Sequence, residues 1–208
     1  MGDWLMQSIC SPSSRTLCLE MQRASLAISW TAFAVLQDEG IDPRHLAGLT
    51  GSGDIGRMRV EFCRDGSWNP VDAGGSQALI LPILDAGMLV DMVAFSPRSP
   101  DQWALRRGDG RLLGADQLSG CGDWQTGVRE VRVFANPMEW LIAGGDGICV
   151  LVWDDRAVRE LAALGPKIRL MADSHELGEH IEQKIKAVPV LPEVGVQTAQ
   201  IMTLEAAE

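Results

Sequence analysis

The sequence predicts an α/β fold in which an N-terminal helix and an antiparallel β-meander precede a small parallel β-α-β-α-β-α sheet. Three observations support it: a mostly apolar helical stretch at residues 19–39, short alternating segments with turn signals at 57–114, and strands alternating with capped helices after residue 128. The 208 residues are enough for one domain or two small ones. We place the boundary between residues 1–128, the helix and meander, and residues 129–208, the parallel region with a loose C-terminal tail.

The N-terminal part is expected to begin with a loose lead-in over residues 1–18. The helix at 19–39 is apolar on most sides, so it should be buried or meet a partner. Asp42 and Pro43 signal a short helix that ends near Gly48. The meander strands are expected at residues 57–62, 78–81, 89–95, 102–106 and 111–113, the last two forming a hairpin around 108–110.

The C-terminal part should contain parallel strands at residues 130–135, 148–153 and 167–172, with a fourth at 188–191. The run at 148–153 is continuously apolar, as expected of a strand covered on both faces. Helices are expected to start at Asn136, at Asp154 or Asp155, and at a capping box formed by residues 173–176. The polar residues at the carboxyl ends of the strands, where ligands bind in open sheets, are Asn136, Glu139, Asp154, Asp155, Asp173, His175 and Glu176.

The charge balance argues against a nucleic-acid-binding surface. Lys and Arg number 18 against 28 Asp and Glu, for a net charge of −10. There are 11 basic and 16 acidic residues up to residue 130, and 7 and 12 beyond it, so each part carries −5. The local cluster Arg98, Arg106, Arg107 and Arg111 is the candidate for phosphate contacts, although a solvated face is the favoured interpretation. We therefore predict weak nucleic-acid binding or none.

Cysteine usage and hydropathy bear on the cellular setting. The five cysteines are scattered, with no CxxC pair, which favours a reducing, cytoplasmic location. Cys149 lies in an apolar run and is expected to be a small buried hydrophobe. The longest largely apolar stretch is too short to span a bilayer, so no membrane association is expected.

Two short motifs suggest ligand sites, but their context argues against both. Gly51, Gly53 and Gly56 match GxGxxG, yet a helix precedes them and a strand follows, the reverse of a dinucleotide site. We interpret them as a helix-to-strand loop. His175 and His180 are five residues apart, so their side chains diverge by about 140° on a helix and cannot share a zinc ion.

Two segments resemble the signatures of the Toprim fold of primases, topoisomerases and related nucleases. Residues 172–179, ADSHELGE, resemble the Asp-x-Asp signature, and residues 133–141, VFANPMEWL, resemble the strand that ends in Glu-Gly and enters a helix. The resemblance implies metal-binding aspartates and a glutamate acting as acid and base. Ala135 stands at the position of that glutamate, and His175 at the position of the second aspartate.

The retained carboxylates also have a structural interpretation. Asp173 and Glu176 are the residues that could hold a metal ion, and Glu139 lies one turn beyond the replaced glutamate. Helix capping explains all three: Asp173 as an N-cap, Glu176 as the acidic residue of the same capping box, and Glu139 as an acceptor for the backbone N–H of Asn136.

We carry forward three functional hypotheses. The first is a catalytically degenerate Toprim-like accessory or interaction protein in DNA replication or mobile-element biology, consistent with a similarity of the whole chain to proteins carried with phage or prophage replication genes. It needs no cofactor and implies a protein partner or a homo-oligomer. The second is an active Mg²⁺-dependent phosphotransfer enzyme that acts on nucleic acid through Asp173, Glu176 and Glu139. The third is a structural or oligomerising protein.

Overall fold

The computed structural model describes residues 13–118 and 127–188, and these form a mixed α/β structure with two sheets. The helices are α1 (Ser14–Leu26), α2 (Trp30–Asp38), α3 (Pro43–Ser52), α4 (Pro137–Ile142), α5 (Asp155–Ala162) and α6 (His175–Lys186). The strands are β1 (Gly56–Phe62), β2 (Trp68–Pro70), β3 (Ser76–Asp85), β4 (Met88–Ser96), β5 (Ser99–Leu105), β6 (Leu112–Leu113), β7 (Arg129–Phe134), β8 (Ile148–Val150) and β9 (Ile168–Ala172). None of the helices in these two ranges is long and apolar enough to cross a membrane.

The N-terminal helix is two helices rather than the single one predicted at residues 19–39. Helix α1 already begins at Ser14, so residues 14–18 of the expected loose lead-in are helical. The chain leaves α1 where the N–H groups of Ala27 and Ile28 turn back to carbonyls three residues earlier. Ser29 then caps α2, its Oγ accepting the N–H of Ala32 at 3.3 Å. A serine hydroxyl that satisfies a free N–H at a helix start favours this break.

The glycine-rich segment at residues 51–56 connects a helix to a strand, in the order the sequence predicted. Helix α3 runs past the expected end at Gly48 as far as Ser52, and Gly53 ends it in the left-handed conformation with φ +80°. Gly56 opens β1 against α1, where an added Cβ would lie 2.5 Å from the Ala24 Cβ. The segment is therefore used for helix termination and for close packing.

The first sheet is antiparallel as predicted, with strand order β2-β1-β3-β4-β5. Strands β1, β3, β4 and β5 follow each other as in the predicted meander, whereas β2, which was not predicted, extends the sheet beyond β1. Its two edges approach each other, because Ser67 bridges Leu105 and the Leu105 N–H donates to the Gly66 carbonyl at 3.0 Å. Trp68 is fully buried on the face that packs against α1 and donates from Nε1 to the Met92 carbonyl at 3.3 Å. Helix α1 covers this face, so the meander acquires a core of its own.

The hairpin predicted between residues 102–106 and 111–113 is wrong. Strand β5 pairs with β4, whereas β6 pairs antiparallel with β8 of the second sheet. The intervening chain is held by Asp91, which is fully buried in β4. Its carboxylate accepts the backbone N–H groups of Met92, Arg107, Asp109 and Gly110 at 2.8–2.9 Å. Those bonds fix a crossover from one sheet to the other instead of a turn.

The second sheet has the order β6-β8-β7-β9 and is mixed: β8, β7 and β9 are mutually parallel as predicted, whereas β6 is antiparallel to β8. Strand β8 is buried on both faces, also as predicted, although it covers only the first half of the range 148–153. The apolar sides of α5 and α6 pack on one face through Leu161 and Ile181. Of the fourth strand expected at 188–191, residue 188 is not in a strand, and the other residues and the tail lie outside the described ranges.

A single hydrophobic cluster joins the two sheets. Phe95 of the meander and Phe134 of the parallel sheet both belong to it. Trp103 donates from Nε1 to the Leu151 carbonyl at 3.0 Å, and Asn136 donates from Nδ2 to Asp101 Oδ1 at 3.2 Å. Residues on both sides of the predicted boundary at 128 therefore share one core.

Candidate functional site

The structure brings the two signature segments together at the carboxyl edge of the parallel sheet. Strands β7 and β9 are neighbours, with Val133 opposite Ala172. The backbone N–H of Asp173, just after β9, donates to the Val133 carbonyl at 3.3 Å. Ala135 follows β7 directly, so both segments end at the edge where ligands bind in open α/β sheets.

Helix α4 begins at this edge with a complete cap. Asn136 is 4% exposed, and its Oδ1 accepts the N–H groups of Met138 and Glu139 at 3.1 and 3.0 Å. The Glu139 carboxylate folds back as expected, but it accepts the N–H of Ala135 at 3.1 Å rather than the predicted N–H of Asn136. The carboxylate nearest to the replaced family glutamate is thus bonded to the backbone of the residue that replaces it.

Asp173 is not the N-cap of α6, which corrects the sequence prediction. Ser174 is the cap, and its Oγ accepts the N–H of Leu177 at 3.1 Å. Asp173 comes directly after β9, which pairs with β7, and its carboxylate forms an ion pair with the Arg132 guanidinium of β7 at 3.3 Å. Arg132 was not among the residues predicted for the site. Its alternation with Val131 and Val133 along β7 was the available signal that it faces away from the core.

The remaining polar residues of α6 are exposed and engaged locally. His175 Nε2 lies 3.2 Å from the Glu179 carboxylate one turn later. His180 instead packs its ring edge-on against Trp153, with centroids 4.9 Å apart. Glu176 is exposed in the first turn, where a carboxylate favours the helix dipole.

Asp154 and Asp155 start α5, and Asp154 is the cap. It accepts the N–H groups of Arg156 and Ala157 at 3.1 and 2.8 Å, and its carboxylate meets Arg111 at 2.9 Å. Partial burial opposes ionisation, but the Ala157 N–H and the Arg111 guanidinium outweigh it and hold the pKa of Asp154 below its usual value. Asp155 occupies the first turn of the helix.

The four arginines of the predicted cluster have separate environments. Arg98 precedes β5 and Arg106 follows it, so eight extended residue steps place their backbones roughly 25 Å apart. Arg106 forms an ion pair with Glu20 at 2.9 Å, with both side chains only 11% exposed, and lies over the Trp68 ring at 5.4 Å. Arg107 pairs with Asp109 at 2.8 Å. Together with the Arg111 pair, three of the four guanidinium groups face carboxylates of the chain itself.

Metal-ligating and nucleophilic groups do not cluster at this edge. In residues 13–118 and 127–188, no three His, Cys, Asp or Glu side chains are grouped so that they could hold a metal ion. Burial, helped by the charge of Glu139, raises the pKa of the Cys149 thiol far above its ordinary value, so this side chain is a buried apolar group, as predicted. No family model, curated protein or solved structure matches the chain.

Proposed function

We propose that this chain is a non-catalytic Toprim-like protein that acts by binding a partner, as an accessory component in DNA replication or mobile-element biology. The observation that carries the proposal is the ion pair between Asp173 and Arg132. A guanidinium beside the retained aspartate neutralises the charge that would attract Mg²⁺. It also occupies oxygen lone pairs that a strongly hydrated ion needs.

An open face of the parallel sheet supports an interaction role. Glu130, Arg132, Arg169 and Met171 are exposed on β7 and β9, and Met171 is 42% exposed. Strand β9 is the last strand in the order of this sheet, so within the described residues its outer edge pairs with no further strand. Parallel sheets are ordinarily covered on both faces. A partner that packs on this face would complete that arrangement.

The proposal can be tested by restoring the family carboxylates. Ala135 and His175 are both exposed, so Ala135→Glu with His175→Asp should fold. Because Arg132 would still neutralise Asp173, this variant and its control also carry Arg132→Gln. We expect the restored variant to gain a Mg²⁺-dependent rise in melting temperature at millimolar metal, whereas the wild type shows none. The uncharged pair Ala135→Gln with His175→Asn is the matched control, and it should not respond to the metal.

Two outcomes would contradict the proposal. A Mg²⁺-induced rise in the wild type that disappears in Asp173→Ala would restore the hypothesis of an active phosphotransfer enzyme using Asp173, Glu176 and Glu139. A restored variant that folds but gains no metal response would remove the Toprim likeness, because converging carboxylates at this edge should then bind metal.

A second candidate, an oligomerising protein, is favoured by exposed apolar side chains between α1 and α2. Leu26 is 81% exposed and Trp30 is 86% exposed. Large apolar side chains at neighbouring exposed positions are typical of interaction surfaces. If this region self-associates, light scattering should show a mass that falls towards the monomer in Leu26→Ser with Trp30→Ser. The same monomeric mass in both proteins would exclude this function.

A further inference from the structure

A cavity of about 390 Å³ lies between α2 and the open end of the meander sheet. Its walls are largely aliphatic and include Ala32, Val35, Leu36, Leu79 and Pro97. Leu36 and Leu79 belong to the core shared by the two sheets, so the floor of the cavity is part of that buried core. The volume is within the range of small-molecule sites.

Two arginines supply the charge of this cavity. Arg57 is half-buried on β1, opposite Leu79, and Arg98 lies exposed in the turn between β4 and β5. Neither guanidinium has a hydrogen bond or ion pair with any residue that the structure describes. Among residues 13–118 and 127–188, no Asp or Glu lines the cavity, although the chain carries a net charge of −10.

Arg57 and Arg98 differ in this respect from the other three arginines of the cluster predicted at residues 98–111. Arg106, Arg107 and Arg111 each face a carboxylate of the protein. A partly buried guanidinium without an anionic partner loses hydration without compensation. An incoming anion would supply the missing partner, and the planar fork of arginine matches a carboxylate.

We propose that the cavity binds a small organic anion, a carboxylate with an aliphatic body. The carboxylate sits between Arg57 and Arg98, and the aliphatic chain lies along Val35, Leu36 and Leu79. The apolar walls select against inorganic anions, which would leave those side chains in contact with water. This inference is independent of the proposed Toprim-like function, since the cavity lies on the meander and not at the edge of the parallel sheet.

The test is a calorimetric titration of the whole chain with octanoate. We expect saturable binding that weakens about tenfold or more in Arg57→Gln and in Arg98→Gln, because each removes a charge-assisted hydrogen bond. Arg59→Gln is the matched control. It removes the same charge two residues along β1, outside the cavity lining, and should bind octanoate as the wild type does.

Three further ligands and one blocking variant distinguish the contribution of the carboxylate from that of the aliphatic chain and test whether octanoate binds in the cavity. Octanol, octylammonium and inorganic phosphate should each bind at least tenfold more weakly than octanoate. Val35→Phe, at a position 46% exposed, should fold and obstruct the cavity, so it should abolish octanoate binding. The inference is overturned if octanoate does not bind, if octanol or phosphate binds equally well, or if the Arg57, Arg98 and Val35 variants all retain wild-type affinity.

Discussion

Asp91 holds the crossover between the two sheets, and replacing it tests how the halves of the molecule are joined. Its carboxylate is fully buried and each oxygen accepts two backbone N–H groups. In Asp91→Asn the shape is kept, but an NH₂ group replaces one oxygen and two N–H donors lose their acceptor. An unsatisfied buried donor costs about 1–3 kcal/mol, so the free energy of unfolding should fall by about 2–6 kcal/mol. That is a large part of the roughly 5–15 kcal/mol typical of a domain.

Urea unfolding followed by circular dichroism measures this change. With a slope near 2 kcal/mol/M, the unfolding midpoint should fall by roughly 1 M or more. Asp109→Asn in the same loop is the control, since it removes only a partly exposed ion pair with Arg107 and should cost under about 1 kcal/mol. Amide hydrogen exchange gives a second measurement, because either the N–H groups of Met92 and Arg107 or those of Asp109 and Gly110 should lose protection only in Asp91→Asn. Equal midpoints for the two variants, with protection unchanged, would refute the reasoning.

Three further predictions concern ion pairs and caps. Glu20→Ala leaves the Arg106 guanidinium buried without its anionic partner and should lower the free energy of unfolding by about 3 kcal/mol. The double variant Glu20→Leu with Arg106→Met should recover most of this loss. A loss below about 1 kcal/mol in Glu20→Ala would contradict the prediction. Ser174→Ala should lower the free energy of unfolding by about 1 kcal/mol, because it removes the cap of α6. Asp173→Ala should lower it less, because the ion pair with Arg132 is half exposed. A larger fall in melting temperature in Asp173→Ala than in Ser174→Ala would indicate that Asp173 is the cap. Because the pKa of Asp154 is lowered in the folded state, its charge stabilises the fold above about pH 4 and this stabilisation is lost as the pH falls through the folded pKa. Asp154→Asn keeps the capping oxygen, so the difference in urea unfolding between this variant and the wild type should shrink as the pH falls below about 4. A difference that stays constant with pH would show that the charge is not responsible.

Local chemistry made several elements predictable from the sequence. The meander and the three parallel strands follow from alternating and continuous apolar runs, which decide how many faces a strand buries. Asn136 was correctly identified as a cap, and the cap of α5 was narrowed to Asp154 or Asp155, because a cap acts within three residues of its own position. The order of helix and strand around Gly53 was correct for the same reason.

The errors and omissions at the candidate site involve partners distant in sequence. Asp173 looks like a cap in the sequence, but the parallel pairing of β9 with β7 places Arg132, 41 residues earlier, beside its carboxylate. The four arginines are close in sequence, yet an extended strand separates Arg98 from the others. Arg57 and Arg98 line one cavity only because α2 packs over the meander.

The sequence by itself therefore determined most of the strands, the burial of β8 on both faces and the cap at Asn136, since each depends on neighbours within a few residues. The pairing of Leu112–Leu113 with β8, the crossover held by Asp91 and the shared core depend on contacts between segments far apart along the chain. Many such pairings are compatible with the same local pattern. The packed interior selects one of them, because it must bury the apolar faces of both sheets while giving every buried N–H group an acceptor.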